Sequence, residues 1–135
     1  MSKAFHALAK LARSEAEEVQ RQLAGLLNED ELLLQRIHAR AAMLQREARL
    51  AIAPADIAAF NRFSAAEKER DRADQAAREA LAGQIDILRE ELSAHFREAK
   101  KLENLLEERA VQAKRASARQ EQALADERAG RQAGR

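Results

Sequence analysis

Histidine is the side chain best suited to proton transfer or metal binding near neutral pH, and this 135-residue chain has three: His6, His38 and His95. A helical di-metal site needs a Glu three residues before each His, so that both ligands project from one turn of one face. Gln35 and Leu92 occupy that spacing before His38 and His95, so the motif is missing. Ser2, Ser14, Ser64, Ser93 and Ser117 have no His–Asp company that could activate a hydroxyl. No glycine-rich phosphate loop or P-loop lysine occurs. With no cysteine there is neither a disulfide nor a thiolate metal site. The expectation is a chain without catalytic residues, metal or cofactor: not an enzyme.

The elements that would carry any other function follow from composition. Charged residues make up 35% of the chain and aromatics only 3%, and 32 residues are alanine. Alanine fills a narrow seam between close helices and cannot build a thick core. This composition is that of a long helix or coiled coil in a single domain. The formal net charge of +1 gives no overall case for nucleic acid or membrane. The charge is unevenly placed, however. Between Arg109 and Arg135 seven basic residues stand against three acids, a balance of +4 that leaves −3 on residues 1–108. The opening MSKAFHALAKLARSEAEE has no continuous apolar run, which argues against a signal peptide and for a cytosolic chain.

Apolar residues recur at coiled-coil spacing. Phe5, Ala9, Ala12, Ala16, Val19 and Leu23 alternate steps of four and three. Leu27, Asp30, Leu34, Ile37, Ala41, Leu44, Ala48 and Ala51 do the same, and the two consecutive steps of four at Val19, Leu23 and Leu27 predict a stutter. After Pro54 the seam is expected to resume at Ile57, Phe60 and Phe63; residues 64–80 have no apolar side chain larger than Ala. The stripe then resumes as Leu81, Ile85, Leu88, Leu92, His95, Ala99, Leu102 and Leu106. His95 on this stripe reads as a seam residue, and Asp30 as a polar seam residue that either fixes register or is wetted by solvent.

Pro54 is the only proline. In mid-helix it would break a hydrogen bond at a cost of about 3 kcal/mol, whereas at the first position of a helix it is well placed. Each arm has a one-sided seam that needs a partner, so the chain is expected to fold back near Pro54. The predicted fold is all-α: two long helices, about 3–52 and 56–129, in an antiparallel coiled-coil hairpin, with 130–135 frayed. Facing residues then have numbers summing to about 110 by equal rise, with Leu34, Ile37 and Leu44 against the alanines of 66–77. Gly25 and Gly83 fall at one level of such a hairpin, where they either make a soft joint or coincide by chance. The second helix overhangs the first by about 20 residues, roughly 30 Å.

That overhang is the basic arm, which either is a solvated helix face or docks on a partner. Leu32, Leu33 and Leu34 cannot all enter one seam. With Leu26 and Met43 they form either an exposed apolar strip for a partner or one edge of a wide seam.

This layout resembles the flagellar export protein FliJ family and the YscO-type stalk proteins of type III secretion. The likeness lies in LAKLARSEAEEVQRQLAGL, with Leu8, Leu11, Glu15 and Leu23; in FNRF, with Phe60 and Phe63; and in ARQEQALADERAGR, with Glu121, Asp126, Glu127 and Arg131. Many members carry tyrosine or tryptophan in mid-coil, and this chain has neither. The resemblance implies a non-enzymatic, monomeric stalk and escort for flagellum biogenesis and motility, cytoplasmic and peripheral at the inner-membrane export apparatus. Its implied partners are a hexameric export ATPase, an export gate protein and substrate chaperones, with no nucleic acid. The implied ATPase-ring contacts are Lys114, Arg115, Arg119, Glu121, Asp126 and Glu127. The implied gate or chaperone contacts are Phe60, Phe63, Leu33 and Met43. The alternative is a homodimeric structural scaffold with a kink at Pro54. A prefoldin-like holdase would need apolar free ends, which the C-terminal arm lacks.

Overall fold

The computed structural model describes residues 2–134, without the side chain of Ser2; Arg135, counted above in the basic arm, lies outside them. Two helices make up the described chain, α1 (Ser2–Leu50) and α2 (Pro54–Ala133), with no strand among the described residues. The fold is an all-α helical hairpin.

Pro54 is the first residue of α2, where its missing N–H is not needed for an intrahelical bond. The Ala53 carbonyl accepts from the Ile57 N–H at 2.9 Å and opens the helical ladder. Asp56 sits in the first turn of α2 and Arg49 in the last turn of α1, each at the helix end that suits its charge. The reversal over 51–53 uses no left-handed residue, so it needs no glycine. α2 continues through Gly130 instead of fraying there. An Arg131–Glu127 pair at 2.8 Å and a bond from the Gly134 N–H to the Gly130 carbonyl at 3.1 Å support its last turns.

The chain divides into two compact units. The first joins Met1–Ala16 to Ala94–Arg135. Its core is Ala9, Ala12, Ala99 and Leu102, closed by Phe5 and Leu106. Alanine at three of these four positions lets the two backbones approach closely. Arg13 bonds Glu103 at 2.6 Å and lies over the Phe96 ring, and Arg109 stacks on Phe5 at 4.0 Å. His95 lies on the seam as expected, with its Nδ1 3.4 Å from Glu15.

The second unit, Glu17–Ser93, contains the reversal. Its buried and half-buried positions on α1 are Val19, Leu23, Leu26, Asp30, Leu33, Ile37, Arg40 and Leu44, with Leu34 and Met43 beside them. Those on α2 are Phe60, Ser64, Glu67, Asp71, Asp74, Arg78, Leu81, Ile85, Leu88 and Leu92. Both series alternate steps of four and three without a break. Paired in antiparallel order, their numbers sum to 111, from Val19 with Leu92 to Leu44 with Glu67.

Three expectations are corrected here. Of Ile57, Phe60 and Phe63 only Phe60 takes a seam position, and the other two are exposed. There is no stutter: Leu26 continues the seam and Leu27 is exposed. The bulky residues 33–44 do not face alanines, because Ala65, Ala66, Ala73, Ala76 and Ala77 all lie outside. At this last place charged residues hold the seam: Arg40 takes the position that apolar spacing assigns to Ala41, and Glu67, Asp71 and Asp74 stand where the alanines of 66–77 are expected.

Gly25 and Gly83 lie in continuous helix, and a Cβ at either would meet nothing within 4 Å. Gly25→Ala and Gly83→Ala are each expected to raise stability by about 0.5–1 kcal/mol, read as a higher midpoint in denaturant titration. A loss of stability from either would show that the glycine serves a need of the fold beyond helix formation.

Candidate functional site

Three features of the surface and seam are candidates for function: a charged middle of the seam, the tip at the reversal, and the C-terminal arm. The first two belong to the second unit and the arm to the first.

From Ser64 to Arg78, five consecutive seam positions of α2 are polar. α1 answers with arginines. The Arg40 side chain, only 9% exposed, donates to Glu67 at 3.1 Å and to Asp74 at 2.8 Å, and reaches Asp71 at 3.5 Å. Arg36 bonds Asp74 at 2.7 Å, Arg70 bonds Glu67 at 2.7 Å, and Arg78 bonds Asp30 at 2.9 Å. No buried side-chain nitrogen or oxygen among the described residues lacks a partner. The Arg36 guanidinium, followed by that of Arg40, holds the Asp74 carboxyl down to about 2. The hydrogen bond from Arg78 lowers Asp30 as well. Both shifts favour the charged form, the condition for a fully paired network.

This network also fixes register. Sliding one helix by a heptad would set Asp30 against Asp74 in one direction and Arg40 against Arg78 in the other. Asp30 takes a seam position, as expected, and its partner is Arg78.

At the tip, apolar side chains face solvent. Leu50 is 70% exposed, Ile52 82%, Ile57 45% and Phe63 39%. From Leu50 to Asn61 the only charge is Asp56. A groove of about 390 Å³ opens beside the reversal, lined by Glu47, Leu50, Ala51, Asp56, Ala59, Phe60 and Phe63. Phe60 and Phe63 therefore share one surface. Leu33 and Met43 are not part of it: Leu33 takes a seam position and Met43 flanks Leu44, both half-buried. Of Leu32, Leu33 and Leu34 only Leu32 is exposed, at 56%, so the wide-seam reading holds for the other two. Sequence reasoning passed over Leu50 and Ile52, although two large apolar residues beside a turn are themselves a signal of an exposed patch.

In the arm, Lys114, Arg115, Arg119, Glu121, Asp126 and Glu127 are all exposed on α2. Gln122 donates to Asp126 at 3.0 Å, and Glu127 pairs with Arg131. Lys114, Arg115 and Arg119 form no ion pair among the described residues. Every described residue from Glu107 onward is exposed, because antiparallel pairing with α1 runs out there. No group of three or more His, Asp or Glu with metal-binding geometry occurs among the described residues. No described helix is long and apolar enough to cross a membrane. Compared with known proteins, the chain matches no family model, no characterised relative and no solved structure.

Two outcomes test the network. Arg40→Leu leaves Glu67 and Asp74 in the seam without their shared cation and is expected to cost about 3 kcal/mol in a denaturant titration. A change below about 0.5 kcal/mol would mean that the carboxylates find water instead. In acid, Asp74 binds protons more readily in the unfolded chain, near the usual pH 4, than in the folded one, near 2. Its contribution is complete above about pH 4 and disappears as pH falls through 2. The thermal midpoint should drop across that window, and the drop should be smaller in Asp74→Asn.

Proposed function

We propose that this chain is a non-enzymatic stalk and escort of the flagellar type III export apparatus, coupling a hexameric export ATPase to the export gate and to substrate chaperones. The observation that carries the reading is the asymmetry of the two helices. α2 runs on beyond its pairing with α1 as a fully exposed arm whose cations include Lys114, Arg115 and Arg119, none of them ion-paired among the described residues. A solvated helix with no partner of its own is suited to enter a ring lined by acidic side chains, where charge complementarity steers encounter and fixes orientation. Unit by unit, the arm and the apolar tip are different surfaces, as a coupling element that meets two partners requires. The likeness to FliJ rests on the stretches around Leu8–Leu23, Phe60–Phe63 and Glu121–Arg131, and it supplies the partners' identity. A place at the cytoplasmic face of the inner membrane, peripheral to the gate, belongs to the same proposal.

The alternative, a homodimeric scaffold, is disfavoured in its parallel form by the charged seam. In-register copies would stack Glu67, Asp71 and Asp74 against themselves and Arg40 against Arg40.

The test is Lys114→Glu/Arg115→Glu/Arg119→Glu against a purified export ATPase. Three exposed charge reversals are expected to weaken binding by about thirtyfold and to abolish ATPase stimulation, with the helix content unchanged. Undiminished binding and stimulation would rule out docking through the arm.

A further inference from the structure

The groove at the reversal has a chemistry that specifies its occupant. Phe60, Ala59 and Leu50 line it with apolar surface, and Phe63 adds an aromatic face that is 39% exposed although it takes no seam position. Two carboxylates, Glu47 and Asp56, line the same groove. Neither forms an ion pair among the described residues, whereas the carboxylates on the seam of the same unit, Asp30, Glu67, Asp71 and Asp74, are all paired. Unpaired acids on an apolar groove complement a segment that brings both an apolar side chain and a cation. Lining the groove itself, with no cation among its lining residues, they oppose an anionic group entering it.

We propose that the tip groove binds a basic amphipathic segment of a partner protein, with one or two apolar side chains entering between Leu50, Phe60 and Phe63 and adjacent Lys or Arg side chains pairing with Glu47 and Asp56. This deepens the stalk reading, on which it rests only for the expectation that the tip meets a protein.

The experiment uses the full chain and two synthetic helical peptides of one pattern, leucine with lysine and leucine with glutamate, measured by calorimetry at about 50 mM salt. The leucine–lysine peptide is expected to bind and its acidic counterpart not to bind. Glu47→Gln/Asp56→Asn should weaken binding about tenfold, while Glu90→Gln/Glu91→Gln, the same charge change away from the tip, should leave it within about twofold. Phe63→Ser, at an exposed position, should weaken it without altering the melting curve. Equal affinity of the two double variants, or no binding of the basic peptide, would overturn the inference. So would binding to phosphatidylglycerol vesicles that depends on Ile52 while the peptide is ignored, since the occupant would then be lipid. A chain that stimulates the export ATPase but ignores the peptide would overturn this inference alone. A chain that binds the peptide but fails with the ATPase would overturn the stalk reading alone.

Discussion

The Arg40 guanidinium sits between Glu67 and Asp74 in the seam, and the pairing of α1 with α2 in their unit depends on it. A stretch of five polar seam positions would otherwise be a gap in the apolar contact between two helices. Apolar burial alone would also allow alternative registers, because leucines repeat every heptad. The charges exclude those registers: a slide in either direction brings like charges together. A buried ion network of this kind adds little net stability relative to an apolar seam of the same volume. Its contribution here is to select one pairing from several.

The rest of the fold divides the work. In the first unit, alanines and two arginine–aromatic contacts bring the helices close around a small core. In the second, leucines and isoleucines on the arm-ward side of the network supply burial, and the network supplies register. The reversal is set by Pro54 at the first turn of α2, with exposed apolar side chains beside it. Every described residue of α2 from Glu107 onward is exposed.

The sequence shows clearly those features that depend on one helix at a time. The two helices are visible in the Ala, Leu, Glu and Arg content, and their boundary in a proline whose missing N–H fits only a helix start. The antiparallel pairing is visible as well, with facing numbers expected near 110 and found at 111. The features that depend on both helices together are hidden. Apolar periodicity cannot register a seam made of Arg40, Glu67 and Asp74, so it substitutes Ala41 on α1, sets the alanines of 66–77 opposite, and inserts a stutter at Leu27. Those carboxylates enter the seam because arginines across the hairpin satisfy them, a fact held in residues 27 to 38 positions away in sequence. At the candidate site, Phe60 and Phe63 were legible as an aromatic pair. The groove they share with Glu47 was not, since it forms only when the chain reverses.

The central claim is that α1 pairs with α2 of the same chain in one register. The chain has no cysteine, so a pair can be introduced without interference. Leu26→Cys/Ile85→Cys places two thiols in one seam layer, and Leu26→Cys/Leu92→Cys places them one heptad apart. Under mild oxidation at low protein concentration, the first variant should form a disulfide within a single chain and the second should not. Covalent dimers from the first variant, or equal cross-linking in both, would contradict the account.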